Sequence, residues 1–424
     1  MKLITTTALA LVAALSAAPA TAQSYGASSR MEPPRDQQPP QQPAPAAQAA
    51  QPKITPSKGA LKAIVDLQTT VNKNDYANVP AKVAAANAVA TTKEDKYLVG
   101  QLQLKAAVGA KDSAAETAAI DEIASSGYLD PAKSTELYVS LGSMLYNNKQ
   151  YPQAQAAFQK ASALDPRNAE APALLGETLF AQGQKAEATA AFQRAIQASA
   201  ATGQKPDEKL LKRAVGVAYD ANSPSAVDLS RQWVAAYPSP DSWRNSIAIY
   251  RNLNHPDVEG TLDLLRLMQA TGSMSEAGDY TLYSRAAAEQ NNFNEAQAVL
   301  DAGIAAKKIN PASPEVKDLV AGLKAKPKAS AADLAVATKA AVNGTALLRI
   351  GDRYYAMGDY AKAVELYRMA MGKPGVDTAV ANLHIGMALA RAGDKAGATT
   401  ALNAVTGPRA DIAKYWLTYV NQRA

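Results

Sequence analysis

The 424-residue sequence has no cysteine and only two histidines. Without cysteine there are no disulfides, thiolate metal sites, cysteine nucleophiles or acyl-cysteine anchors, and a long helical chain needs no such staples. His255 precedes Pro256 and reads as a turn residue, while His384, inside LHIGMALA, reads as a packed or surface side chain. Zinc ligands cluster at characteristic spacings, and two isolated histidines do not. Neither a G-x-S-x-G elbow nor a G-x-x-x-x-G-K-[ST] phosphate loop appears. Gly372-Lys373-Pro374-Gly375 falls in an inter-helix turn, and Asp121-Glu122 reads as helix-surface charge. The sequence therefore predicts no catalytic residue, no metal, no cofactor and no enzymatic activity.

Aromatic residues are also scarce, at 6%. Alanine is abundant instead, which favours closely packed helices over sheet because alanine is the best helix former and a poor strand former. The charge is formally +6, from 44 basic and 38 acidic residues. Its densest cluster, Lys205, Lys209, Lys212 and Arg213, is offset by Asp207 and Glu208. A nucleic-acid footprint would be a basic stripe on one face, so no nucleic-acid partner is expected.

Long apolar runs are missing too. Residues 1–22, MKLITTTALALVAALSAAPATA, read as a signal peptide: Lys2 is a short basic start, Ala8 to Leu15 an apolar stretch, and Ala20-Thr21-Ala22 a small-x-small cleavage site. The stretch is too short to cross about 30 Å of hydrocarbon. The expectation is an exported protein with Gln23 at its mature N-terminus, no integral membrane segment after cleavage, and the periplasm of a Gram-negative bacterium as its location.

Residues 23–58 read as a disordered Pro/Gln-rich linker. Met31 to Lys58 holds eight prolines and six glutamines, too little apolar surface to offset the entropy of ordering. Proline repeats favour extended polyproline II, hence a spacer or a ligand for a groove.

From residue 59 the pattern becomes helical and repeats. Gly142, Ala154, Phe158 and Ala161 match Gly176, Ala188, Phe192 and Ala195 at 34-residue intervals. The spacing returns as Gly351, Tyr354, Ala363, Tyr367, Ala370, and again as Gly386, Leu389, Ala398, Leu402, Val405. Gly183, Gly358 and Gly393 each follow the first glycine of their unit by seven, where a turn needs positive φ. Pro166 ends the first of these units. The small residues let the two helices of a unit approach, and Phe158 is expected to fill the space between one unit and the next.

This pattern resembles the tetratricopeptide-repeat family. The resemblance implies an all-α, right-handed superhelical solenoid of stacked helix pairs, because one pair cannot bury its apolar face alone. The expected organisation is 59–134 N-terminal helical repeats, 135–202 a repeat pair, 203–323 diverged helical repeats, 324–343 linker or helix, and 344–424 a C-terminal repeat pair with a capping helix over Ile412 to Val420. Tyr283 to Gly303, with Ala296 and Leu300, is one diverged unit.

In the family, helix A lines the concave face. The resemblance thus implies a partner-binding groove from Val139, Ser143, Tyr146, Glu177, Phe180, Leu348, Asp352, Tyr355, Leu383 and Met387. These are not the Lys, Asn and Arg of a carboxylate clamp, so an apolar or aromatic groove for a protein or peptide partner fits better. The expected function is a non-enzymatic periplasmic adaptor in cell-envelope assembly or trafficking. The alternatives are an accessory subunit of an exported enzyme or polysaccharide-secretion machine, and a glycan-active enzyme. The sequence leaves the oligomeric state open.

Overall fold

A computed structural model describes residues 54–423. The expected signal peptide and most of the linker lie outside them. The described residues are all-helical, with 21 α-helices and no strand, and they divide into two compact units after Gly203.

The first unit contains α1 (Leu61–Asn72), α2 (Val79–Asn87), α3 (Lys93–Ala110), α4 (Ser113–Ser125), α5 (Pro131–Asn147), α6 (Tyr151–Leu164), α7 (Glu170–Ala181) and α8 (Lys185–Ala201). Sequence neighbours pack as antiparallel hairpins, and α6 stacks on α7 to join two of them. The starts are written locally: the side chains of Thr92, Asp112 and Asp130 each accept hydrogen bonds from the first-turn amides of α3, α4 and α5. Helix α6 stops at Leu164 because Asp165, preceding Pro166, is pushed into an extended conformation.

The linker expectation is corrected at its end. Residues 54–58 pack on the first hairpin: Pro56 is buried, and the Ser57 amide donates to the Asp95 carboxylate at 2.8 Å. Those amide and hydroxyl hydrogen bonds outweigh the burial of Asp95 and hold its carboxyl below the usual range.

The second unit contains α9 (Glu208–Asp220), α10 (Ser225–Ala236), α11 (Pro240–Asn254), α12 (Val258–Ala270), α13 (Ala277–Glu289), α14 (Phe293–Ala305), α15 (Pro314–Lys324), α16 (Ala331–Ala340), α17 (Gly344–Ala356), α18 (Tyr360–Met371), α19 (Thr378–Ala392), α20 (Lys395–Asn403), a 3-10 turn at Gly407–Arg409 and α21 (Ala410–Gln422). The prolines at 224, 238 and 256 sit between α9 and α12, as punctuation.

Every expected repeat-core residue is buried. The role of the aromatic position differs from the expectation. Phe158 lies over Gly142 of its own unit, where a Cβ would come within 2.6 Å of the ring. Gly176 faces Phe192, Gly351 faces Tyr367 and Gly386 faces Leu402 in the same way. The first-helix glycine is required by the side chain sixteen residues later. The turn glycines take positive φ, +78° at Gly183, +81° at Gly358 and +87° at Gly393. Lys149 (+61°) and Asn291 (+57°) fill the equivalent place in two other units. Asn291 identifies Ser284 as the glycine position of the diverged unit, and the Ser284 hydroxyl donates to the Ala296 carbonyl at 2.8 Å.

The capping-helix expectation is also corrected. Helix α21 packs on α19 and α20, but it packs on α10 and α12 as well. The Tyr415 hydroxyl donates to the Ser246 carbonyl at 3.0 Å and sits within hydrogen-bond distance of the Ser230 and Ser246 hydroxyls. Arg409 grips Asp257 with two hydrogen bonds, 2.7 and 2.9 Å. The second unit is therefore closed on itself, its last helix returning to its early ones.

Candidate functional site: a half-open helix face and a filled one

The expected groove residues fall into two groups. In the first unit, α5 presents Val139, Ser143 and Tyr146, and α7 presents Glu177 and Phe180; all five are half-buried. The Ser143 hydroxyl is turned back, donating to the Val139 carbonyl at 2.8 Å. Tyr146 stands edge-on to Tyr151, with ring centroids 5.4 Å apart. Glu136 and Glu170, one turn or more toward the start of each helix, are exposed. The face is thus apolar and aromatic, with acidic residues beside it.

In the second unit the groove expectation fails. Leu383 is 0% exposed and Met387 1%, and Leu348 and Tyr355 are buried as well. A side chain without accessible surface cannot meet a partner. The cause is the closure described above, which brings α12, α17 and α19 together and fills the space that an open stack would leave.

What fills it is charged. Arg266 of α12, 2% exposed, donates through Nε and Nη2 to both oxygens of Glu295, each at 2.8 Å. The Asp263 carboxylate, 0% exposed, lies 3.1 Å from His384 Nε2. His384 Nδ1 lies 3.0 Å from Asp352 Oδ1, which also accepts from the Tyr367 hydroxyl at 2.8 Å. Tyr283 donates its hydroxyl to Glu295 at 2.9 Å, and Asn292 donates to Glu295 at 2.7 Å.

The electrostatics follow from these neighbours. Burial disfavours the charge on His384, but the carboxylates of Asp352 and Asp263 outweigh it and raise the imidazole to about 10. Burial likewise opposes the charge on Asp352, yet His384 and Arg266 hold that carboxyl well below its usual range. His384 is therefore an imidazolium at neutral pH, with no free lone pair to act as a base, and it is 1% exposed. Its charged members join four helices, α12, α14, α17 and α19.

A cleft of about 410 Å³ opens beside it, lined by Glu259, Arg266, Asn292, Leu348, Arg349 and Asp352 among others. Glu259 accepts from Arg409 at 3.0 Å, and burial raises its carboxyl. Asp352, expected in the groove, is 17% exposed here and tied to the network rather than offered outward.

Asp263, Arg266 and Glu295 were not singled out by repeat spacing. One signal was present. In Leu262-Asp263-Leu264-Leu265-Arg266-Leu267-Met268 the charges are surrounded by leucine on every helical face. A helix apolar all round is a buried one, and buried charges need partners. The sequence does not say that the partner of Asp263 is His384.

A family model described as "Tetratricopeptide repeat" matches residues 140–204 and 348–413. No curated protein matches the chain. Among solved structures, a tetratricopeptide repeat protein from Parabacteroides merdae is 9% identical, covers 69% of this chain and 99% of its own, with a TM-score of 0.28. Pseudomonas aeruginosa pilF is 13% identical and covers 62% of this chain and 100% of its own, with a TM-score of 0.23.

Proposed function

We propose that the chain, in which residues 140–204 and 348–413 match the tetratricopeptide-repeat model, is a non-catalytic scaffold holding a segment of a protein partner on α5 and α7. Tetratricopeptide repeats are characteristic of protein-interaction scaffolds. The observation that carries the reading is the contrast between the units. Val139, Tyr146 and Phe180 keep accessible apolar surface on neighbouring first helices, whereas the equivalent residues of the second unit are consumed by its own closure. Half-buried apolar and aromatic side chains spaced along adjacent helices suit an extended or helical segment. The second unit serves as a rigid body.

The reading includes a place of action. The expected signal peptide over residues 1–22 supports export, and hence a role in the periplasm in cell-envelope assembly or trafficking. Mass spectrometry of the secreted or periplasmic chain should find Gln23 at its N-terminus; a chain retaining Met1 in the cytoplasm would overturn that part.

The binding reading is tested by placing a photo-crosslinking amino acid at position 146 or 180, and at Arg194 of α8 as a control. One partner should be trapped from the first two positions and not the third. Phe180→Ala with the crosslinking residue at 146, and Tyr146→Ala with it at 180, should each reduce the capture. Equal capture from all three positions would sink the assignment.

A further inference from the structure

Between α14 and α17 the chain forms two further helices, α15 packed on α13 and α14, and α16 packed on α17. Helix α17 packs directly on α14. The joint is sealed by Asn292, which donates to the Asp352 carbonyl at 3.3 Å, and by the Arg353 guanidinium, which donates to the Asn291 carbonyl at 3.4 Å. Helices α15 and α16 are therefore an excursion set between two repeats that already touch. Insertions in repeat proteins gather on one face, often a binding face.

The excursion is anchored in the core of the unit by Val316 and Leu323 of α15 and Leu334 of α16, and differs in character on its outward side. Leu334 is the buried residue of α16. Its outward side is Ala332, Ala335, Val336 and Lys339, at the i, i+3, i+4 and i+7 positions of one stripe, and all four are exposed. Val336 at 69% and Val342 at 79% are the most exposed large apolar side chains among the described residues. From Lys307 to Lys339 the sequence has seven lysines against Glu315, Asp318 and Asp333, an excess of four in a chain of net charge +6. Asp333 is engaged at the start of α16, accepting from the Ser330 amide and hydroxyl. Lys317, Lys324 and Lys339 are exposed and make no hydrogen bond or ion pair among the described residues.

We propose that the α15–α16 excursion docks on an anionic phospholipid surface, with Val336 and Val342 entering the interfacial layer and the lysines meeting lipid phosphates. Charge complementarity fixes the sign of the partner. The shape of the face favours a bilayer over a folded protein: the outward side of a single helix is convex and carries small side chains, so it offers no pocket for a protein anchor. A lipid surface needs only apolar tips flanked by cations. Attachment here goes beyond the scaffold reading and does not depend on it.

The test is flotation of the full chain with vesicles of phosphatidylcholine, with and without phosphatidylglycerol. The wild type should bind the anionic vesicles, release them at high salt and ignore the neutral ones. K317Q/K324Q/K339Q should bind the anionic vesicles about 100-fold more weakly, since each lysine near such a surface is worth about fivefold. V336S/V342S should also weaken binding by tenfold or more, a threshold set at roughly half the loss expected from the three lysines. All five positions are exposed, and unchanged tryptophan-detected melting checks that the unit stays folded. Equal vesicle binding by wild type and either variant would overturn the proposal. So would absence of binding to anionic vesicles, whether the face then bound polyglutamate, as for an acidic protein, or a second copy of the chain.

Discussion

His384 and Asp263 stand 121 residues apart in sequence and 3.1 Å apart in the structure, both without appreciable solvent exposure. This contact joins α19 to α12 and is part of the closure of the second unit. It also makes that unit sensitive to pH and to single substitutions. All three tryptophans, Trp233, Trp243 and Trp416, lie in the second unit, so their fluorescence follows it selectively.

Alkali should loosen the second unit. The imidazole of His384 is raised from 6.5 to about 10 on folding. Its contribution is fully present below 6.5 and is lost progressively as pH rises through about 10. Asp352 works in the opposite direction: its carboxyl is held well below 3.8, so its contribution is present above 3.8 and is lost on acidification. Stability read by tryptophan-detected denaturation should therefore fall as pH climbs from neutral through about 10, and His384→Gln should lack that titration. An alkaline slope identical in the variant would refute the assignment.

Breaking the network should be costly. Arg266→Met leaves Glu295, Asp263 and Asp352 short of their cation. Removal of one member of a buried ion pair costs about 3–5 kcal/mol because the remaining charge is stranded. Urea midpoints read by tryptophan fluorescence should show a loss of that size. A change under about 1 kcal/mol, the value of a surface pair, would mean the network is hydrated.

Two glycines in helices should respond with opposite signs. A Cβ at Gly351 would come within 2.5 Å of the Tyr367 ring, whereas one at Gly216 of α9 would meet nothing within 4 Å. Gly351→Ala should destabilise by about 1–3 kcal/mol through overpacking. Gly216→Ala should be neutral or stabilising by up to about 1 kcal/mol, because glycine inside a helix loses more entropy on folding than alanine. Calorimetric melts of the pair decide it, and a common sign would mean the ring contact is absent.

The C-terminal helix should behave as part of the body of the second unit. Tyr415→Phe removes a buried hydroxyl bonded to Ser246 and close to Ser230, at an expected cost of about 1–3 kcal/mol. A chain ending at Thr406 would uncover α10 and α12 as well as α19 and α20. Its tryptophan emission should shift toward that of exposed indole at Trp233 and Trp243. Retention of the wild-type spectrum would show that α21 only covers an end.

The sequence by itself determined the helices, their pairing and the repeat cores, because these rest on interactions within about 35 residues. Gly142 and Phe158 are sixteen residues apart, and Gly183 needs only its own turn. Even the diverged unit at Ser284 kept its left-handed turn residue and its small crossing position. Tertiary structure alone decided which helix faces remain open. Leu383 and Met387 occupy the same repeat positions as Val139 and Ser143, yet the first pair is buried and the second half-exposed. The difference arises from contacts between residues far apart in the chain, His384 with Asp263 and Tyr415 with Ser246. A repeating local pattern fixes how each hairpin stacks on the next. It does not fix whether the accumulated rotation brings the last helix back onto the early ones, where buried charges find their partners.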